Sequence, residues 1–220
     1  MTYGIPPPSV VAPVTPSRTA PVGAGARKAR KAGDRAEDLV LRGARQDGRA
    51  WVVKRPIPFR PLGGAPKGGQ FTAVRSASAG VDFAGCIQGG LHIAVEVKSG
   101  QASSLPLRNQ AGDQIRPSQA VELDAVRRLG GVAGVLVRLR PGVRAQVRGE
   151  GLPPVCWWWV PWTNYQCAAA ECEARGRASL GVGDLEAWGY RCEAWPDGAP
   201  RWVDAVMASE ESTEPARVAT

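Results

Sequence analysis

From Gly33 to Gln46 the apolar residues Ala36, Leu39, Val40 and Ala44 fall at helical spacing and predict a first helix. Residues 50–62, AWVVKRPIPFRPL, read as an extended segment, because Pro56, Pro58 and Pro61 exclude a helix and do not suit a central strand. GGAPKGGQ follows as a turn or excursion, and Phe71–Arg75 is a candidate returning strand. Two core strands are then expected, Gly80–Cys86 and Leu91–Lys98. The second alternates strictly, with Leu91, Ile93, Val95 and Val97 on one side and His92, Ala94, Glu96 and Lys98 on the other. Residues 118–129, SQAVELDAVRRL, are amphipathic at the helical period and are ended by Gly130-Gly131. Val132–Leu139 reads as a buried strand and Val155–Val160 as another, carrying Trp157, Trp158 and Trp159. Core or interface filling is the ordinary use of such indoles, and with Trp162 they are assigned to packing. A helix is expected from about Asn164 to Arg175, and Leu180–Met207 is expected to be helical in parts.

The two ends lack such periodicity. Residues 1–26 hold six prolines among Ala, Val, Gly and Ser, with no face to pack, and are expected to be a disordered leader. Arg27, Lys28, Arg30 and Lys31 form a basic knot that reads either as a solvated arm or as an arm touching DNA. An acidic tail, 208–220, is expected to fray. One domain over 27–207 is left between them, and a hydrophobic content of 44% in 220 residues suffices for its core. No apolar run approaches the roughly 18–20 residues that span a bilayer, so no membrane partner is expected. The N-terminus has no apolar stretch of the secretory kind. Five cysteines without framework spacing and a single histidine, His92, read as free thiols in a reducing cytoplasm rather than as a zinc site.

Charge changes the picture. The net +8 is concentrated in residues 1–75, which hold 14 Lys/Arg against 4 Asp/Glu, whereas the remainder holds 14 against 16. A one-sided basic segment suits a polyanion, whose condensed counterions are released on binding. VDFAGCIQGGLHIAVEVKSG, residues 81–100, supplies candidate chemistry. Period-two geometry puts the Glu96 carboxylate beside the Lys98 ammonium, and a hairpin through Gln88-Gly89-Gly90 brings Asp82 to the same place. Two such carboxylates can hold Mg²⁺, with Mn²⁺ as a substitute, leaving coordination positions for water and a substrate phosphate. The ion polarises the phosphodiester and activates water, while Lys98 offsets the charge that develops at phosphorus. Val97 is counted with Asp82 and Glu96 among the metal ligands. Gln119, opening the next helix, and Glu37, on the first, are candidate further members of the catalytic group.

The order of these pieces resembles the RecU family of Holliday junction resolvases, within the PD-(D/E)XK nucleases. Gly33 and Glu37 match a Gly-x-x-x-Glu pattern, and Lys54-Arg55-Pro56-Ile57-Pro58 is similar to a basic K-R-P-T-P motif. Asp82-Phe83-Ala84-Gly85, with Gly89, looks like the family's D-Y-x-G-x-x-x-G strand, and Val95-Glu96-Val97-Lys98 like its F-E-x-K strand. Leu105-Pro106-Leu107-Arg108-Asn109, Gln119, Gly130-Gly131, Ser179-Leu180 and Trp188-Gly189-Tyr190 continue the agreement. Ser118 stands where the family has His, Ala79-Gly80 where it has Ser-Thr, and the excursion after the KRPIP motif is short and Gly-rich.

The resemblance implies a restriction-endonuclease-like α/β fold: a mixed central sheet flanked by helices, a projecting stalk over about 58–74, and a homodimer. It implies cleavage of four-way DNA junctions in two opposed strands, with Lys54, Arg55, Arg60, Lys67 and Arg75 gripping phosphates and a recombinase as a candidate further partner. Three other readings stay open at this point. They are another PD-(D/E)XK endonuclease, a catalytically silent DNA-binding accessory protein, and an adaptor that works through the Pro-rich leader.

Overall fold

A computed structural model gives the fold and describes residues 24–56, 59–61, 73–75, 80–100, 103–109, 112–140 and 154–212. The first helix, α1, spans Ala24–Asp47 and so begins well before the apolar periodicity does. Its added turns, AGARKARKA, have no apolar stripe but are rich in Ala, Arg and Lys, which favour helix intrinsically. The helix thus enters the end of the expected leader; residues 1–23 lie outside the described residues. The chain continues as β1 (Ala50–Lys54), β2 (Phe59–Pro61), β3 (Ala73–Arg75), β4 (Phe83–Ile87) and β5 (His92–Ser99). Three short strands follow, β6 (Ser104–Pro106), β7 (Arg108–Asn109) and β8 (Gly112–Asp113), and then α2 (Pro117–Arg128). The remainder is β9 (Val132–Leu139), β10 (Cys156–Pro161), α3 (Trp162–Ala174), β11 (Ser179–Gly181), α4 (Val182–Trp188), β12 (Tyr190–Cys192) and α5 (Trp202–Glu211).

The central sheet has six strands in the order β1-β4-β5-β9-β10-β12. It is mixed but mostly antiparallel. Only β5 and β9 run parallel, in the register Glu96↔Val135 and Lys98↔Val137, and α2 is the crossover that parallel neighbours require. Each face of the sheet buries its own apolar cluster. On one face Ile93, Val95, Val97, Trp157 and Trp159 meet Leu39 and Val40 of α1 and Trp202, Val203 and Val206 of α5. On the other, Ala94, Val135, Val137 and Trp158 meet Leu123 and Val126 of α2 and Tyr165 and Ala168 of α3. The consecutive tryptophans therefore serve both cores, because successive strand residues point to opposite faces. Trp202 also donates its indole N–H to the Val40 carbonyl (3.1 Å), pinning α5 to α1.

Two features set up the site. The β4–β5 hairpin turns at Gly89 and Gly90, whose φ of 91° and 80° are readily adopted only by glycine. Gly85 lets β4 approach β1: a Cβ there would sit 2.0 Å from the Trp51 carbonyl oxygen. Outside the sheet, β2 and β3 pair antiparallel through Arg60↔Val74, so both ends of the expected stalk meet. Lys67 lies outside the described residues. At the far end α5 runs through Glu211, into the stretch expected to fray, and residues 213–220 lie outside the described residues. Among the described residues, no helix is long and apolar enough to cross a membrane.

Candidate active site

The sequence places Asp82 just before β4, and the ladder explains its role. The last β4–β5 pair is Phe83↔Val95, so beyond it the β5 edge has no strand partner from β4. Asp82 takes that place with its side chain: its carboxylate Oδ2 accepts from the Val97 N–H at 2.9 Å. Its own N–H donates to Glu96 Oε2 at 3.2 Å, and its carbonyl accepts from the Arg55 N–H at 2.8 Å. An extended residue projects its N–H and C=O to the same strand edge. The Val97 carbonyl therefore faces the Asp82 side, and since the Val97 side chain is apolar, only this oxygen can be a ligand.

Glu96 lies on the α2 face of β5 and is 1% exposed. Its Oε1 accepts from the Lys98 ammonium at 2.6 Å. Burial pushes the Glu96 carboxyl up to about 7; the Lys98 charge opposes this and the Asp82 charge adds to it. Asp82, Glu96 and Lys98 are thus one hydrogen-bonded unit.

Gln119 is not an exposed first-turn residue. With Leu123 and Val126 it forms the buried stripe of α2, the helix packed over β5, and it is 1% exposed. Its Oε1 accepts from the Arg116 N–H at 2.9 Å, so one end of the amide caps the helix start. Glu37 approaches from α1 on the opposite face. Its carboxylate is 2.6 Å from the Lys54 ammonium. Burial holds the Glu37 carboxyl above its usual range, opposed by Lys54 and assisted by Asp82, and Glu37 in turn raises the Lys54 pKa.

The candidate DNA-binding cations divide. Lys54 is engaged by Glu37, and Arg55 forms an ion pair with Glu122. Arg27, Lys28, Arg30 and Lys31 occupy the early turns of α1, and Arg60 and Arg75 lie on β2 and β3, but the side chains of these six lie outside the described residues. Sequence reasoning missed Glu122, whose Oε2 also accepts from the Val81 N–H at 3.0 Å. This carboxylate ties α2 to the end of β1 and to the backbone just before Asp82. Its signal was its spacing, three residues after Gln119, which puts both on one side of the helix.

Among the described residues there is no cluster of three or more His, Cys, Asp or Glu suited to a metal. The set present is two carboxylates and one carbonyl. All are hard oxygen donors, which suit Mg²⁺ bound through few protein ligands, with water and phosphate completing the shell. The buried negative charge, evident in the raised Glu96 pKa, is of the kind a divalent cation offsets, so the residues fit such an ion. No protein-family model matches the chain, and no curated protein matches it closely enough to be named as a relative.

Proposed function

We infer that the chain is a divalent-metal-dependent DNA endonuclease of the PD-(D/E)XK kind, and that it acts as a RecU-like resolvase of four-way junctions. The observation that carries the reading is the Asp82–Glu96–Lys98 unit at the end of β5, where a side chain replaces a strand partner and leaves a carbonyl facing two carboxylates. Asp82, Glu96 and the Val97 carbonyl would hold Mg²⁺ or Mn²⁺. Bound there, the ion supplies Lewis-acid polarisation of the phosphodiester and a more acidic water.

The chain's own residues do the rest. Water adds across one P–O ester bond: its oxygen bonds to phosphorus, the bond to the leaving oxygen breaks, and that oxygen takes up a proton. Lys98, held by Glu96, orients the water and offsets the negative charge that grows on the phosphoryl oxygens. Asp82 fixes the Val97 peptide, and Gln119 fixes the helix start over β5. Glu37 sets the position of Lys54 beside this group. A two-fold homodimer would match the near two-fold symmetry of a four-way junction and place two sites on opposed strands.

A second reading, a PD-(D/E)XK endonuclease that cuts duplex or flap DNA, is favoured by one observation. Two cations of the KRPIP motif, Lys54 and Arg55, are already engaged by carboxylates. The test is cleavage of a labelled four-way junction and its matching linear duplex, in Mg²⁺ or EDTA, by the native chain and by Asp82→Asn. Paired, Mg²⁺-dependent nicks in the junction alone, lost in the variant, are expected. Equal cutting of duplex moves the assignment to the second reading. Junction binding without cleavage in both proteins refutes nuclease activity.

A further inference from the structure

Among the described residues, the mechanism leaves one buried cation unused. Arg138 is the seventh residue of β9, opposite Ser99 of β5 on one side and Trp157 of β10 on the other. It is 3% exposed. Strand alternation sends it to the α1 face with Leu136, whereas Glu96 and Lys98 point to the α2 face. Its guanidinium carbon lies 5.6 Å from the centroid of the Trp157 ring. An indole face attracts the charge but accepts none of its N–H bonds in the guanidinium plane. Among the described residues, Arg138 Nε and Nη1 are buried without a hydrogen-bond partner, and so is Arg140 Nε. Burial, and after it the cationic Arg140 and Arg35, push the Arg138 pKa down to about 10.

Buried guanidinium groups are ordinarily matched by carboxylates or by bound anions. Here Arg140, just after β9, and Arg35 of α1 both act electrostatically on Arg138, and among the described residues no carboxylate offsets it. The missing partner is an anion with several acceptor oxygens in a plane, which a phosphate presents to a guanidinium fork. Position adds to this. Arg138 pairs in register with Ser99, the residue after Lys98, and Arg35 is two residues from Glu37. The cluster and the carboxylate unit therefore share one end of the sheet, on opposite faces. A polyanion crossing that end would meet both.

We propose that Arg138, with Arg35 and Arg140 beside it, is a phosphate-binding site that receives the nucleic-acid backbone next to the position of cleavage. The site rests on the nuclease reading for its physiological ligand but not for its affinity toward phosphate oxygens, and the two can be tested apart.

The experiment is thermal unfolding of the full chain in EDTA with increasing inorganic pyrophosphate, for the native protein, Arg138→Met, Arg138→Lys and Arg35→Gln. Pyrophosphate should raise the Tm of the native protein in a saturable way. Arg138→Met should lose the shift, Arg138→Lys should keep part of it, and the exposed Arg35→Gln, which perturbs no core, should weaken it. A shift absent from the native protein, or one that persists unchanged in Arg138→Met, overturns the site. Anisotropy of a labelled duplex in EDTA gives the second readout. Arg138→Met should bind about tenfold more weakly, with the slope of log affinity against log salt reduced by about one. Unchanged DNA affinity and slope overturn the placement of the strand, even if pyrophosphate binds. If the native chain cuts no DNA while Arg138→Met abolishes the pyrophosphate shift, the nuclease reading fails and the phosphate site stands.

Discussion

Replacing Glu96 by Gln should make the metal-free protein more stable at pH 8 and leave it almost unchanged at pH 5. The carboxyl is displaced from its ordinary 4.5 to about 7 in the folded chain, chiefly by burial. Because the folded-state pKa is raised, the unfolded chain releases this proton first as pH rises. The stabilising contribution is therefore complete below pH 4.5 and is lost as pH climbs through 7. At pH 8 the ionised, buried carboxylate costs the folded protein about 3 kcal/mol, and at pH 5 about 1 kcal/mol. A glutamine has the shape of the protonated acid, but its single amide oxygen can accept from Lys98 or from the Asp82 N–H and not from both, and it gives up the ion pair with Lys98. The net gain should be about 1–3 kcal/mol at pH 8 and under about 1 kcal/mol at pH 5. Urea unfolding of both proteins in EDTA at the two pH values measures it. Adding Mg²⁺ should stabilise the native protein by about 1.4 kcal/mol at ten times its Kd and leave the variant nearly unmoved. A variant that loses stability at pH 8, or whose difference from the native chain does not change with pH, would refute the account of Glu96 as a buried charge that Lys98 offsets only in part.

Three further expectations follow from the packing. Gly85→Ala places a methyl against the Trp51 carbonyl, and forcing β1 away from β4 should cost about 3 kcal/mol or more in denaturant unfolding; a cost under 1 would mean the strands part easily. Trp202→Ala removes a fully buried indole and its bond to Val40, and should lower stability by about 3–5 kcal/mol by the same assay, with no change in the pH dependence assigned to Glu96. Glu122→Gln frees Arg55 and weakens the hold on the Val81 N–H, at a cost of about 1 kcal/mol. DNA titration should show the freed Arg55 as tighter, more salt-dependent binding; unchanged affinity would show that Arg55 does not reach DNA.

The alternation of residues 91–98 was enough to put Glu96 and Lys98 on one face and Val95 and Val97 on the other, and the structure keeps that division. Strand β9 was legible because the apolar, Val-rich run from Val132 to Val137, bounded by Gly131 and resumed at Leu139, is of strand length. The start of α1 was not, since helix made by intrinsic preference alone has no stripe to find. Nor were the partners of charged groups. Glu122 looks like any solvated helix residue until α2 is laid against the Asp82 segment, and Arg138 reads as an interruption in an apolar strand until burial shows it unpartnered. Pairing is a property of three-dimensional neighbours, and single-sequence periodicity holds no information about those. Asp82 was placed correctly beside Glu96, but not as a substitute for a missing strand residue, which only the register reveals.

Asp82 joins an edge strand of the sheet to an interior one, because its carbonyl is bonded to Arg55 just after β1 while its carboxylate is bonded to β5. Strand β1 is an edge, with Trp51 68% exposed on the face away from α1. Edge segments open at a lower free energy than the sheet as a whole. On warming, the amides of β1 should exchange with deuterium before those of β5 and β9, and metal binding by the carboxylate pair should decay with that early opening rather than with global unfolding. The temperature limit of the site would then be set by the hold of β1 on β4, well below the limit of the tryptophan-filled interior.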